Sequence, residues 1–218
     1  MLDLLYTPGK YNLNFNIAAS LMDTLILVFF LSRKKARNYR SKLFVLLLIN
    51  LTIAAIAEDA DGLMRNGLLD CSNNLKTFIT VVAHYFHESI AFLLTLYLLE
   101  ILVSFREVRH SEVWLISIPQ ILLTVFELVP PLRHLLYYYD KAGFYNRGQL
   151  YAVIYYGIII AYLLIGVLIM VRNWNTFAQK DLRYVVFVTI GFIVSMMFEW
   201  IDEYLRVTVF LQSLCMLC

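Results

Sequence analysis

The sequence predicts an all-α, polytopic membrane protein built as a bundle of seven transmembrane helices, with the N-terminus outside and the C-terminus inside. Hydrophobic residues occupy 61% of the 218 positions, charged residues occupy only 16%, and the mean hydropathy is +0.71. Water-soluble domains contain fewer apolar and more charged residues than this. Apolar stretches recur along the whole chain, and basic residues are concentrated in alternate loops between them.

Each predicted span is an apolar stretch long enough, or nearly long enough, to cross a bilayer. A helix that rises about 1.5 Å per residue needs about 20 residues to cross ~30 Å of hydrocarbon. The spans lie near residues 13–31, 43–64, 77–105, 113–129, 150–171, 184–205 and 207–218. The seventh supplies only about 12 residues, or ~18 Å of helix. We therefore expect 1–218 to be one helical bundle whose last span is truncated.

The orientation is predicted from lysine and arginine. The loops after the first, third and fifth spans carry more of these residues than the opposite loops, and the densest run is SRKKARNYRSK after the first span. Basic residues that flank membrane helices favour the cytoplasmic side, so the N-terminus is expected outside. This short run is typical of a topology and lipid-headgroup signal, and it offers no folded surface for nucleic acid.

Ionisable residues occur inside several spans, where lipid makes them costly and where they commonly mark a functional site. In the stretch VVAHYFHESIAF, His84, His87 and Glu88 have the i, i+3, i+4 spacing that places them on one helix face. By residue count, Glu58, Glu127 and Glu199 of the second, fourth and sixth spans reach one depth, and Asp202 shares a face of the sixth span with Glu199. Because lipid cannot satisfy polar side chains, we expect these helix faces to meet around a polar cavity open to the outside.

The second span is ambiguous. Asn50 and Asp61 share one face of a helix, whereas Thr52 and Asp59 share nearly the opposite face, and periodicity alone does not choose between them. For Glu58, which residue counting places at the depth of Glu127, extension into the headgroup layer is the alternative to a place in the cavity. In the first span, Asp23 is expected to be an interhelical hydrogen-bond partner, with a carboxyl held protonated by desolvation as the alternative.

The predicted cavity contains more acids than bases, which favours a cationic ligand. Clustered carboxylates in a low dielectric repel one another, and a cation relieves that repulsion. Aromatic residues nearby add cation–π contact. We expect a small amine first and a divalent metal ion second, with no catalytic residues in this chain and no cofactor.

Several stretches resemble the N-terminal seven-helix sensory region of bacterial membrane-bound diguanylate cyclases (GGDEF proteins) and of related histidine kinases. They are KYNLNFNIAA, SRKKARNYRSKLFVLLL, FHESIAFLLTLYLLE and IPQILLTVFELVPPLRHLLYYYDKAGFYNRG, and together they span nearly the whole chain. The resemblance implies a bacterial inner-membrane receptor that signals through its seventh helix to a cytoplasmic diguanylate cyclase domain, as a homodimer. It also implies that 1–218 form the seven-transmembrane sensor domain and that the C-terminal cytoplasmic output domain is missing.

The resemblance also implies roles for individual residues. It favours Asp59 as the inward-facing acid of the second span, and His87 and Ser89 in the third. It implies an ordered outer loop over the cavity, contributed by Tyr138, Asp140, Tyr145 and Arg147. The chain departs from the family pattern at Glu88 and Glu127, where the family has uncharged polar residues, and this departure adds negative charge.

Two other classes of protein remain as alternatives. The dipeptide at Pro119 and Gln120 occurs in PQ-loop transporters, although the other half of the chain contains no matching dipeptide. A membrane zinc hydrolase is the second alternative, since His84, His87 and Glu88 are residue types that bind zinc. His110 and His134 lie in loops, so carboxylates would have to complete such a site.

Overall fold

The computed structural model describes residues 11–32, 39–103, 110–172, 190–191, 194 and 211–213. Five helices in these ranges are long and apolar enough to cross a membrane. They are α1 (Asn14–Ser32), α2 (Tyr39–Arg65), α3 (Asn73–Val103), α4 (His110–Leu128) and α6 (Tyr151–Arg172). These helices confirm a helical protein whose composition is consistent with an integral membrane protein.

The first five predicted spans correspond to these five helices, with ends that differ by a few residues. The predicted sixth and seventh spans lie outside the described residues, apart from short helical pieces at 190–191, 194 and 211–213. The count of seven spans and the orientation therefore remain predictions.

Between α4 and α6 the chain forms a short helix and a two-stranded hairpin. Helix α5 (Pro130–Leu136) begins with proline, which is favourable at a helix start because no backbone N–H is needed there. Strands β1 (Tyr137–Tyr139) and β2 (Tyr145–Arg147) pair antiparallel, with Tyr138 opposite Asn146. The all-α prediction is thus correct for the bundle and wrong for this segment, where three consecutive tyrosines favour strand.

The hairpin connects to α6 through a tight turn at Gly148. Gly148 donates its N–H to the Leu136 carbonyl, and a β-carbon at position 148 would lie 2.2 Å from the Leu135 carbonyl oxygen. Only glycine allows this approach between two backbone segments. The turn holds the hairpin against one end of the bundle. We call this end of the bundle the hairpin end.

Helices α2 and α3 form the centre of the described bundle. Leu47, Leu51, Ala54 and Ile90 are almost fully buried between them. Helix α1 packs on α2 and buries only Asn16, Ala19 and Asp23. Several of its large side chains, among them Leu21, Leu25 and Val28, are exposed as expected for a surface that faces lipid.

The packing of α2 decides which of its faces points inward. Asn50 and Asp61 are buried, and Asn50 donates from Nδ2 to the Phe86 carbonyl of α3 at 2.6 Å. Thr52 and Asp59 are half-buried, and the Thr52 hydroxyl bonds to the Leu48 carbonyl of its own helix. The face that carries Asn50 and Asp61 is therefore the main packing face of α2.

Candidate functional site

The hairpin end of the bundle contains a layer of buried polar side chains, which we call the polar layer. Its members come from α1, α2, α3, α4, α6 and the hairpin. Three groups are each built on one acidic residue of this layer: Glu58, Asp61 and Glu127. A bilayer supplies no hydrogen bonds to such groups, so their partners must come from the protein.

The first group joins three helices through Glu58. Asn16 of α1 donates from Nδ2 to Glu58 Oε2 at 2.9 Å, and His87 Nδ1 of α3 bonds to Glu58 Oε1. Glu58 is only 6% exposed. Glu58 therefore lies within the bundle, at the level that residue counting predicted, and not in the headgroup layer, because α1 and α3 both supply partners for its carboxylate.

The second group lies one turn nearer the hairpin and is built on Asp61. Arg65 Nε lies 2.8 Å from Asp61 Oδ2 on the same helix, and both side chains are buried. Thr80 of α3 donates its hydroxyl to Asp61 Oδ1 at 2.7 Å. The Thr80 hydroxyl also lies 2.8 Å from the Tyr139 hydroxyl, which connects this group to β1.

Arg65 also binds the aromatic residues that cover the polar layer. Its guanidinium carbon lies 3.5 Å from the centre of the Tyr145 ring, and Nη1 donates to the Tyr11 hydroxyl at 3.2 Å. Burial raises the pKa of the Tyr145 phenol to about 12, so this phenol stays neutral at physiological pH. One arginine therefore joins α2 to the hairpin and to the segment before α1.

The third group is built on Glu127 near the end of α4. Tyr137 of β1 donates to Glu127 Oε2 at 2.8 Å, and Tyr155 of α6 donates to Glu127 Oε1. Glu127 is completely buried. Burial, together with the neighbouring carboxylate, raises the pKa of the Tyr137 phenol well above its ordinary value, so the phenol remains a donor.

Three tyrosine rings surround His84. Their centroids lie 4.9 Å (Tyr155), 5.3 Å (Tyr137) and 5.8 Å (Tyr151) from the imidazole. Two of these rings are the ones whose hydroxyls bind Glu127. The sequence pattern placed His84 and Glu127 at one depth. The tyrosines that link them lie in β1 and α6, and helical periodicity within α3 or α4 does not predict this contact.

The other predicted residues of α3, Glu88 and Ser89, also lie in the interior of the bundle. Glu88 and Ser89 are buried, and Ser89 accepts a hydrogen bond at 2.7 Å from Gln120 Nε2 of α4. The Ser89 hydroxyl in turn donates to the Tyr85 carbonyl. Asp59, which the resemblance favours, is half-buried beside the Glu58 group.

The predicted outer-loop residues belong to the hairpin. Asp140 stabilises its turn by accepting from the backbone N–H groups of Ala142 and Phe144, each at 2.9 Å. Tyr138 is exposed and stacks on His134. The Arg147 guanidinium carbon lies 4.6 Å from the Tyr151 ring centre. Of these residues, Tyr145 makes the direct contact with the polar layer.

A metal site is not formed by the described side chains. Within the described ranges, no group of three or more histidine, cysteine, aspartate or glutamate side chains is arranged to hold a metal ion. His84, His87 and Glu88 share a helix face, yet His87 is directed to Glu58 and His84 lies among tyrosines. Glu199 and Asp202 lie outside the described residues.

The fold and the polar layer together define the class: a helical bundle with several helices that are compatible with a membrane and a polar layer under a small hairpin. No protein-family model matches the sequence, and no match was found among curated proteins.

Proposed function

We propose that this chain is the sensory region of a bacterial inner-membrane receptor. In this proposal it has seven transmembrane helices, and a small extracellular ligand binds in the polar layer. The last helix transmits the signal to a cytoplasmic output domain, a diguanylate cyclase first, within a homodimer. The observation that supports it is the convergence of buried polar side chains from five helices and a hairpin at one end of an apolar bundle. Buried polar groups in a membrane are costly and usually serve a function.

The charges of the layer favour a small cation as ligand, an amine before a divalent metal. Glu58 and Asp61 each have a basic partner, His87 and Arg65. Glu127 accepts hydrogen bonds from two neutral phenols, and the positive charge of Arg133 acts on it more weakly than these bonds. An ammonium group would supply the positive charge that the phenols do not, and the tyrosine rings around His84 offer it π faces.

Gln120 offers a further contact for an ammonium group. It lies two turns from Glu127 on one face of α4, and its Oε1 is buried without a hydrogen-bond donor among the described residues. A buried acceptor without a donor costs free energy until a ligand supplies one. The proposed ligand contacts are therefore Glu88, Glu127 and Gln120, with Asp59, Glu199 and Asp202 as further acids of the layer.

The orientation is tested by thiol labelling of intact cells. With Cys71, Cys215 and Cys218 replaced by serine, a membrane-impermeant maleimide should modify Lys141→Cys at the hairpin end. It should spare His110→Cys at the other end until the cells are opened. Both positions are exposed in the protein, so the side of the membrane on which each residue lies decides whether the maleimide reaches it. Labelling of His110→Cys alone in intact cells would place the hairpin end in the cytoplasm and contradict the proposal.

Ligand binding is tested by thermal shift of the purified protein with ethylammonium, Mg²⁺, acetate and glucose. We expect stabilisation by ethylammonium that grows with its concentration, as binding to the folded state requires. Glu88→Gln should weaken this affinity more than tenfold, or about 1.4 kcal/mol. Glu100→Gln is the matched control, because Glu100 lies ~18 Å further along the same helix. Stabilisation by acetate that is unchanged in Glu88→Gln would exclude a cationic ligand.

A further inference from the structure

Within the part of the chain that the structure describes, two polar side chains of α1 hydrogen-bond to other elements, at two levels of the helix. Near the hairpin end, Asn16 donates to Glu58, the carboxylate that also binds His87. Deeper in the bundle, Asp23 Oδ2 accepts a hydrogen bond from the Ser213 hydroxyl at 2.7 Å. Asp23 and Ser213 are both fully buried, and 190 residues separate them in the sequence. The expectation that Asp23 is an interhelical hydrogen-bond partner is thus confirmed.

These contacts lie on one stripe of α1. Asn16, Ala19 and Asp23 are the buried residues of the helix, and their i, i+3, i+7 spacing places them on one face. The distance from Asn16 to Asp23 along the axis is ~10.5 Å. The small side chain of Ala19 between them lets α1 lie close to its neighbours.

Apolar packing of α1 is partial, because Leu21 and Leu25 are exposed whereas Phe30 is half-buried against Phe44 of α2. The two hydrogen bonds add the directional contacts that resist a rotation of this helix. Breaking either polar contact in an apolar bundle leaves groups that lipid cannot satisfy. A rigid helix held at two points in this way transmits a displacement at one point to the other.

We propose that α1 is the coupling helix between the polar layer and the last helix. A change at Glu58 and His87 would be carried by Asn16 along α1 to Asp23, and from Asp23 to Ser213. The inference rests on the proposed receptor function, and it assigns the transmission step to α1. Direct contacts between the polar layer and the neighbouring spans then contribute less to transmission than α1 does. A ligand moves such an element only through different affinities for its two positions.

A double-mutant cycle tests the coupling without any ligand. Asn16 and Ser213 share no partner, and their contacts lie about two helical turns apart. If the substitutions Asn16→Ala and Ser213→Ala act independently, their effects on the unfolding equilibrium constant multiply to within about twofold. We expect the double variant, unfolded by SDS titration, to differ at least threefold from the product of the single effects. The control pair is Asn16→Ala with Thr24→Val, because the Thr24 hydroxyl is exposed and bonds within α1.

A second measurement applies even where Ser213→Ala does not fold. Gln212 is buried, and a cysteine there, in a background without other cysteines, reports on the last helix through its labelling rate. Asn16→Ala should accelerate this labelling at least threefold, whereas Ser20→Ala, which loses a hydroxyl bonded within α1, should not. Multiplicative effects with an unchanged labelling rate would overturn the coupling and leave the ligand proposal intact. Coupling in a protein that none of the four ligand probes stabilises would support the linkage and overturn the receptor proposal.

Discussion

Replacing Arg65 by methionine is expected to destabilise the folded protein by about 3–5 kcal/mol, the range for breaking a buried ion pair. Arg65 and Asp61 are both buried, so the variant leaves the Asp61 carboxylate without its basic partner. It also removes the guanidinium from the Tyr145 ring and from the Tyr11 hydroxyl. Equilibrium unfolding in SDS, followed by tryptophan fluorescence, measures the loss.

The double variant Asp61→Asn/Arg65→Met separates the charge from the packing. Removal of both charges is often close to neutral, and the asparagine amide oxygen still accepts from the Thr80 hydroxyl. We expect this variant to regain most of the lost stability. Arg147→Met is the matched control, because Arg147 is exposed and also lies over a tyrosine ring; its loss should stay below about 1 kcal/mol. An equal loss for Arg65→Met and Arg147→Met would show that the buried ion pair does not stabilise the hairpin end.

The second large effect is expected at Glu127. Glu127→Leu removes the acceptor of the Tyr137 and Tyr155 hydroxyls, and each buried hydroxyl left unpaired costs about 1–3 kcal/mol. The expected loss is therefore about 2–6 kcal/mol. Glu127→Gln keeps one amide oxygen as an acceptor, so its loss should be clearly smaller. The same SDS titration measures both variants.

Removing the two donors provides the control for Glu127. In Glu127→Leu/Tyr137→Phe/Tyr155→Phe the buried hydroxyls are absent, so most of the stability lost by Glu127→Leu should return. The double variant Tyr137→Phe/Tyr155→Phe alone should be destabilised, since it leaves the buried carboxylate without donors. If the triple variant is no more stable than Glu127→Leu, the loss comes from side-chain shape and not from unpaired hydroxyls.

The sequence by itself determined the five long helices and the depth of the polar residues. A backbone in lipid must satisfy its own hydrogen bonds, so a long apolar stretch is expected to form a helix. Residue counting along each helix then places His84, His87 and Glu127 near one level. The i, i+3, i+4 spacing of His84, His87 and Glu88 predicted a common face for the same reason. These are local properties of a regular helix, so a single sequence is enough to predict them.

Only the tertiary structure decided which partners these residues meet. Glu58 and Asp61 share one face of α2 and Asp59 lies away from it, but hydropathy cannot rank the three carboxylates; the neighbours α1 and α3 select Glu58 and Asp61 for burial. The hairpin is equally non-local, because its tyrosines become partners of Glu127 and Arg65 only where the hairpin packs against the end of the bundle. The Asp23–Ser213 bond joins residues 190 positions apart. Helical periodicity describes one element at a time, whereas hydrogen bonds between distant elements depend on how the whole bundle packs.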